Sequence, residues 1–191
     1  MPDEIEQQAE RQFIKIYKKE ISMEEAIEHI RRLKYSPKPE EKELFASMIT
    51  FLYSELRFHF NYPDNELNIT ADLFAGIINH NLIDKKLVQV FLQVLRDDLE
   101  LREDNKKYHF ARNVVDKIRP RLVSEAEFCE KLLENQNLLQ KDPELIESLL
   151  KSLEPPIQLS VEKEKRLKEA IKLKNTPPEV VVVVPSAEED L

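Results

Sequence analysis

The stretch Arg57-Phe58-His59-Phe60-Asn61-Tyr62-Pro63-Asp64-Asn65-Glu66-Leu67-Asn68-Ile69-Thr70-Ala71-Asp72-Leu73-Phe74-Ala75-Gly76-Ile77-Ile78 decides the fold. It joins two strongly apolar runs of helical spacing through an aromatic-rich hinge, Tyr62-Pro63-Asp64-Asn65. It also holds the one glycine of a 191-residue chain, Gly76. Hydrophobic residues make up 41% and charged residues 35% of that chain. A length that supports one buried core, almost no glycine and long helical spacings together predict an all-α protein.

Upstream of the hinge, a first helix is expected over about Asp3 to Lys19, with the stripe Ile5, Ala9, Phe13, Ile16 and Tyr17. A second starts at Ser22, whose partner Glu25 three residues on makes a capping box. Ser36-Pro37-Lys38-Pro39 ends it, because a proline disfavours helix in the residue before it. A third helix covers about Glu40 to Phe60 and is apolar nearly all round. Downstream, helix four is expected over Thr70 to Asn79, helix five from Asp84 as N-cap, and helix six over Asn105 to Ile118. Helix seven has a second box, Ser124 with Glu127, and helix eight opens with Asp142 as cap and Pro143 at its first position. Eight helices on short connections read as antiparallel pairs stacked into an α-solenoid, with no repeat visible in the sequence itself. The helical domain is expected to span residues 1–154. From Glu154-Pro155-Pro156 the character changes, and residues 155–191 read as a linker. Within it Val161 to Lys174 has the makings of a charged, solvated helix. Val180 to Val184 reads either as disordered tail or as a β-prone patch able to join a sheet edge.

The formal net charge of -8 argues against a nucleic-acid surface, which wants basic faces. One cysteine, Cys129, excludes an internal disulfide framework and fits a reducing compartment. The start of the chain is acidic and polar, unlike a signal peptide, and no apolar run approaches the roughly 20 residues of a membrane span. A cytoplasmic, and also nuclear, protein is expected.

No catalytic constellation is legible. His29, His59, His80 and His109 lack metal-ligand spacing, Cys129 reads as a small core residue, and one glycine cannot build a phosphate loop. Neither an enzyme nor a cofactor is expected. A basic cluster, Lys106, Lys107, Arg112, Lys117, Arg119 and Arg121, interleaves with Tyr108 and Phe110, as base-stacking surfaces do. Neighbouring Asp104, Asp116, Glu125 and Glu127 favour mixed, solvated charge instead, so direct RNA binding stays the second reading. A spacer with no ligand is the third. The strongest remaining signal is the excess apolar surface of helices three and five. Either these helices lie centrally in the stack, or they leave a groove for an amphipathic peptide helix. The groove reading takes Phe45, Met48, Ile49 and Leu52 as one wall and Val90, Phe91 and Val94 as the other. On that reading Leu52→Glu abolishes peptide binding and leaves the melt intact.

The hinge segment resembles that of the large scaffold subunit of the CCR-NOT mRNA deadenylase complex. The resemblance rests on Arg57, Phe58, Tyr62-Pro63-Asp64, Glu66-Leu67, Ile69-Thr70-Ala71, Leu73-Phe74 and Gly76-Ile77-Ile78. Glu4-Ile5-Glu6, Phe13 with Ile16-Tyr17, the Tyr108 to Leu122 helix and Phe128-Cys129 extend it, over about Asp3 to Leu153. It implies a stack of HEAT-like helical pairs within a larger scaffold. The similar domain clasps short amphipathic motifs of tristetraprolin-type mRNA-binding adaptors, so the resemblance implies such partners and, through the rest of the scaffold, the other subunits. It likewise implies a part in mRNA deadenylation, decay and translational repression. Gln93 stands where the family carries a tyrosine.

Overall fold

The structure, a computed structural model, describes residues 3–56 and 61–177. Among these it is helical, with no strand: α1 (Glu4–Tyr17), α2 (Met23–Tyr35), α3 (Pro39–Glu55), α4 (Asp64–Asn79), α5 (Lys85–Leu99), α6 (Lys106–Lys117), α7 (Arg119–Leu122), α8 (Ala126–Lys131), α9 (Gln136–Lys141), α10 (Pro143–Lys151) and α11 (Val161–Asn175). The expected end of the third helix at Phe60, with His59, lies outside the described residues, as does Val180 to Val184. The fold class is the expected one, an all-α stack.

Caps set most boundaries. Ser22 accepts from the Glu25 amide at 3.1 Å, Asp84 from Leu87 at 2.8 Å and Asp142 from Leu145 at 3.3 Å. Each satisfies an amide that the first turn leaves without a partner. The second expected box does not form. Ser124 Oγ instead donates to the Arg121 carbonyl and accepts from Arg121 Nη1, and α8 starts at Ala126. Helix α4 begins at Asp64, six residues before the expected start, since Pro63 can precede a helix and Asp64 and Glu66 suit its positive end. An additional short helix, α9, is capped by Asn135, which accepts from Leu138 at 3.0 Å.

Two helices end on left-handed residues that are not glycine. At Lys19 and Asn81, φ is 57° and 54°. Each lets the next amide reach back five residues, Glu20 to the Lys15 carbonyl and Leu82 to that of Ile77, both at 3.0 Å. This is the Schellman ending, which turns the chain sharply into the next helix.

Helix α3 packs on α1 and α2, and α4 on α1, α2, α6 and α7. Then α5 packs on α6, α8 on α10, and α11 on α9 and α10. The core runs through the stack. Phe13 stacks on Phe51 at 4.4 Å, and Phe74 meets Phe91 and Phe110 edge-on at 5.2 and 6.1 Å. Polar clasps cross between layers. Tyr17 Oη lies 2.7 Å from Thr70 Oγ1, whose own proton goes to the Glu66 carbonyl, so the tyrosine donates. Asn137 Nδ2 donates to the Leu101 carbonyl, and Arg112 bridges Asp116 and the cap residue Asp142. The charged helix α11 docks through its thin apolar stripe: Leu167 is buried, with Ala170 and Ile171 packed beside it.

Gly76 lies where α2 comes nearest to α4. A Cβ there would sit 2.6 Å from Ile27 Cδ1 and 2.8 Å from its Cγ1. Gly76→Ala should therefore overpack the contact by about 1–3 kcal/mol, offset by roughly 1 kcal/mol of helix propensity. We expect a net loss of about 1 kcal/mol in denaturant melts, partly recovered by adding Ile27→Val, which removes the Cδ1 contact and keeps Cγ1. Strictly additive effects would show that the two positions do not meet.

Candidate functional site

The two expected groove walls divide on inspection. Met48, Leu52 and Phe91 are 0%, 1% and 3% exposed, and they belong to the core. Helix α3 presses Met48 and Leu52 inward against α1 and α2, while Phe91 packs on Phe74. Phe45, Ile49 and Val94 are half-buried, and Val90 is 39% exposed. With Tyr53, whose ring lies 6.1 Å from that of Phe91, they leave an apolar face across α3 and α5. Apolar arcs on a helix do not say which arc the fold covers: Phe45 and Ile49 are as apolar as Met48 and Leu52, yet only the latter pair is fully covered.

A concavity of about 620 Å³ lies on another side of α3, between it and α1. Ile5 and Ala9 line it from α1, and Ala46, Ser47, Thr50 and Phe51 from α3. The stacked pair Phe13 and Phe51 anchors its wall to the core. The small side chains of Ala9, Ala46 and Ser47 leave room for another helix to approach closely. Its rim is acidic: Asp3, Glu6, Glu10 and Glu43 border it. Among the described residues Glu6, Glu10 and Glu43 make no ion pair, so their charge is free to meet a ligand. Tyr17, one helical turn past Phe13, is held neutral by burial, its phenol pushed up to about 12 despite the bond to Thr70.

The basic cluster is paired within the fold. Arg112 pairs with Asp116 and Asp142, Lys117 with Asp72, Arg119 with Asp116 and Arg121 with Glu125. Lys106 lies 3.8 Å from Asp64, and Lys107 is also engaged. Tyr108 and Phe110 are buried, so neither ring can stack on a base. The thiol of Cys129 is buried too, and burial pushes it up to about 12, far from a nucleophile's range. Among the described residues no His, Cys, Asp and Glu side chains gather as a metal ion requires, and no helix is long and apolar enough to cross a membrane.

A stack of short packed helices with an apolar, acid-rimmed groove defines a helical-repeat protein. Residues 1–158 match the family described as the CCR4-NOT transcription complex subunit 1 TTP binding domain, and the chain belongs to that family. It is similar to General negative regulator of transcription subunit 1 of Schizosaccharomyces pombe, 26% identical over 86% of this chain and 8% of that protein. The Saccharomyces cerevisiae protein of the same name is 24% identical over 78% of this chain and 7% of its own length. CCR4-NOT transcription complex subunit let-711 of Caenorhabditis elegans is 24% identical over 71% of this chain and 5% of its own. The chain thus spans less than a tenth of these relatives. A solved structure, the N-terminal domain of the yeast Not1, matches 80% of this chain and 29% of its own with a TM-score of 0.72 at 24% identity. That likeness shows the fold.

Two measurements test this geometry. Leu52→Glu should abolish the cooperative melt, because it buries a carboxylate among apolar groups, whereas Val90→Glu should melt within about 1 kcal/mol of the parent. A Leu52→Glu protein that melts normally would put Leu52 back on the surface. Asp98 carries a separate signature. It is buried, its Oδ2 has no hydrogen-bond partner, and burial raises its pKa from 3.8 to about 6, with Lys107 opposing and Asp97 adding. The native state holds this proton more tightly than the unfolded chain, so Asp98 makes stability fall as pH rises from 3.8 to about 6. Asp98→Asn should remove that slope and add on the order of 2 kcal/mol at neutral pH.

Proposed function

We propose that this chain is a docking module of the CCR-NOT mRNA deadenylase scaffold. On this reading it holds short amphipathic helical motifs of tristetraprolin-type mRNA-binding adaptors in the groove between α1 and α3, and has no catalytic role of its own. The observation that carries the reading is the concavity lined by Ile5, Ala9, Ala46 and Phe51, which lies within the residues matched by a TTP-binding family. Its apolar floor would take the ligand's anchors, and Glu6, Glu10 and Glu43 would favour basic residues flanking them. Two or three anchors of about 2 kcal/mol each, less the cost of association, suit micromolar affinity. Docking of this kind would bring a deadenylase to a bound message and promote its decay and translational repression, work suited to the cytoplasm and also to the nucleus. The other subunits would be reached through the rest of the scaffold.

The exposed face of Phe45, Ile49, Val90 and Val94 is the second place for such a motif. Direct RNA binding has less support, because Tyr108 and Phe110, the rings it would stack on bases, are buried.

Calorimetric titration with the C-terminal peptide of a tristetraprolin-type protein, at two salt concentrations, tests the reading. We expect micromolar binding that changes modestly with salt. It should weaken at least about tenfold in Ala46→Arg, which fills the groove, and stay within about twofold in Val90→Glu. The reverse pattern would move the site to the α3 and α5 face. No binding by the parent would remove this ligand class.

A further inference from the structure

Helix α11 docks on the body of the stack through Leu167 and Ile171, with Ala170 packed beside them. Arg166, Ala170 and Leu173, at spacings of four and three, form an adjoining row along the edge of that contact. That row borders a concavity of about 700 Å³ whose opposite wall is α9, with Gln136, Leu139 and Gln140. Leu173 is 76% exposed at its edge. The charge here runs against that of the whole chain. A protein of net charge -8 lines this groove with Lys141, Arg166 and Lys174 against Glu169 alone. Arg166 makes no ion pair among the described residues. Lys141 lies 3.6 Å from Glu103 and Lys174 2.7 Å from Glu144, both on half-exposed side chains. Pairs so exposed hold weakly, and a ligand carboxylate can replace either acid.

We propose that the α9 and α11 groove is a second docking surface, for a partner segment that is helical, apolar on one face and acidic along its flanks. Its leucine-type side chains would cover Leu173 and the exposed part of Ala170. Its carboxylates would meet Arg166 first, then Lys141 and Lys174. This ligand is opposite in charge to the one that suits the acidic α1 and α3 groove, so the two surfaces would not compete. The site lies largely on α11, beyond the residues 1–158 that match the family.

The probes are three labelled synthetic helical peptides of equal length: a leucine and glutamate amphipath, its leucine and lysine counterpart, and a glutamate-rich peptide without leucine. Anisotropy titrations on the full chain should show binding of the first alone, weaker at higher salt. Arg166→Glu and Leu173→Ser change side chains at the surface, and each should weaken it at least about fivefold. Ala46→Arg, in the other groove, should leave it unchanged, so a failure here is distinguishable from a failure of adaptor docking. The proposal is overturned if the leucine and glutamate peptide does not bind, if the lysine or leucine-free peptide binds as tightly, or if neither α11 substitution matters.

Discussion

Helix α4 has almost no wet face, and the rest of the stack is arranged around that fact. From Leu67 to Ile78 it buries its side chains apart from a narrow strip that carries Asn68 and Asp72. Its own hydrogen bonds satisfy its backbone, so apolar neighbours can close over the rest of it. Each neighbour comes in by a different device. Helix α2 closes on Gly76, α1 reaches Thr70 through Tyr17, and α5 and α6 meet Phe74 with Phe91 and Phe110. The apolar breadth of α5 follows from its contact with this helix through Phe91, and that of α3 from its packing on α1 and α2. Much of what they show in sequence is core.

What was legible in the sequence was what is local. Ser22, Asp84 and Asp142 cap as their residue types suggest, because each bond closes within four residues and needs nothing from outside. Ser124 misleads because Arg121 competes for its hydroxyl. Helix α9 is six residues with two leucines, too short for a periodicity. The groove was harder still. Met48, Leu52 and Phe91 attract attention by being large and apolar, as do Phe45 and Ile49, and only the packing of the helices separates the covered from the half-buried. Ala46, Ser47 and Thr50 attract none, yet they line the hollow between α1 and α3. A groove is made by side chains that are missing, and a hydrophobic pattern records only those that are present.

The net charge hides an uneven distribution. Unpaired acids border the hollow near the start of the stack, paired cations fill the middle on α6 and α7, and an unpaired arginine stands on α11. The middle pairs hold helices together: Arg112 connects α6 to the residue that starts α10. Charge at the two ends has no such structural partner and sets what each end attracts.

The endings at Lys19 and Asn81 also bear on the state in which none of this structure exists. A glycine in either place would relax the left-handed backbone, at about 1 kcal/mol per residue, but would widen the range of conformations open to the unfolded chain. A chain with one glycine in 191 residues has a correspondingly narrow unfolded ensemble. Part of its stability therefore resides in what the unfolded polypeptide cannot do, and no contact in the folded stack accounts for it.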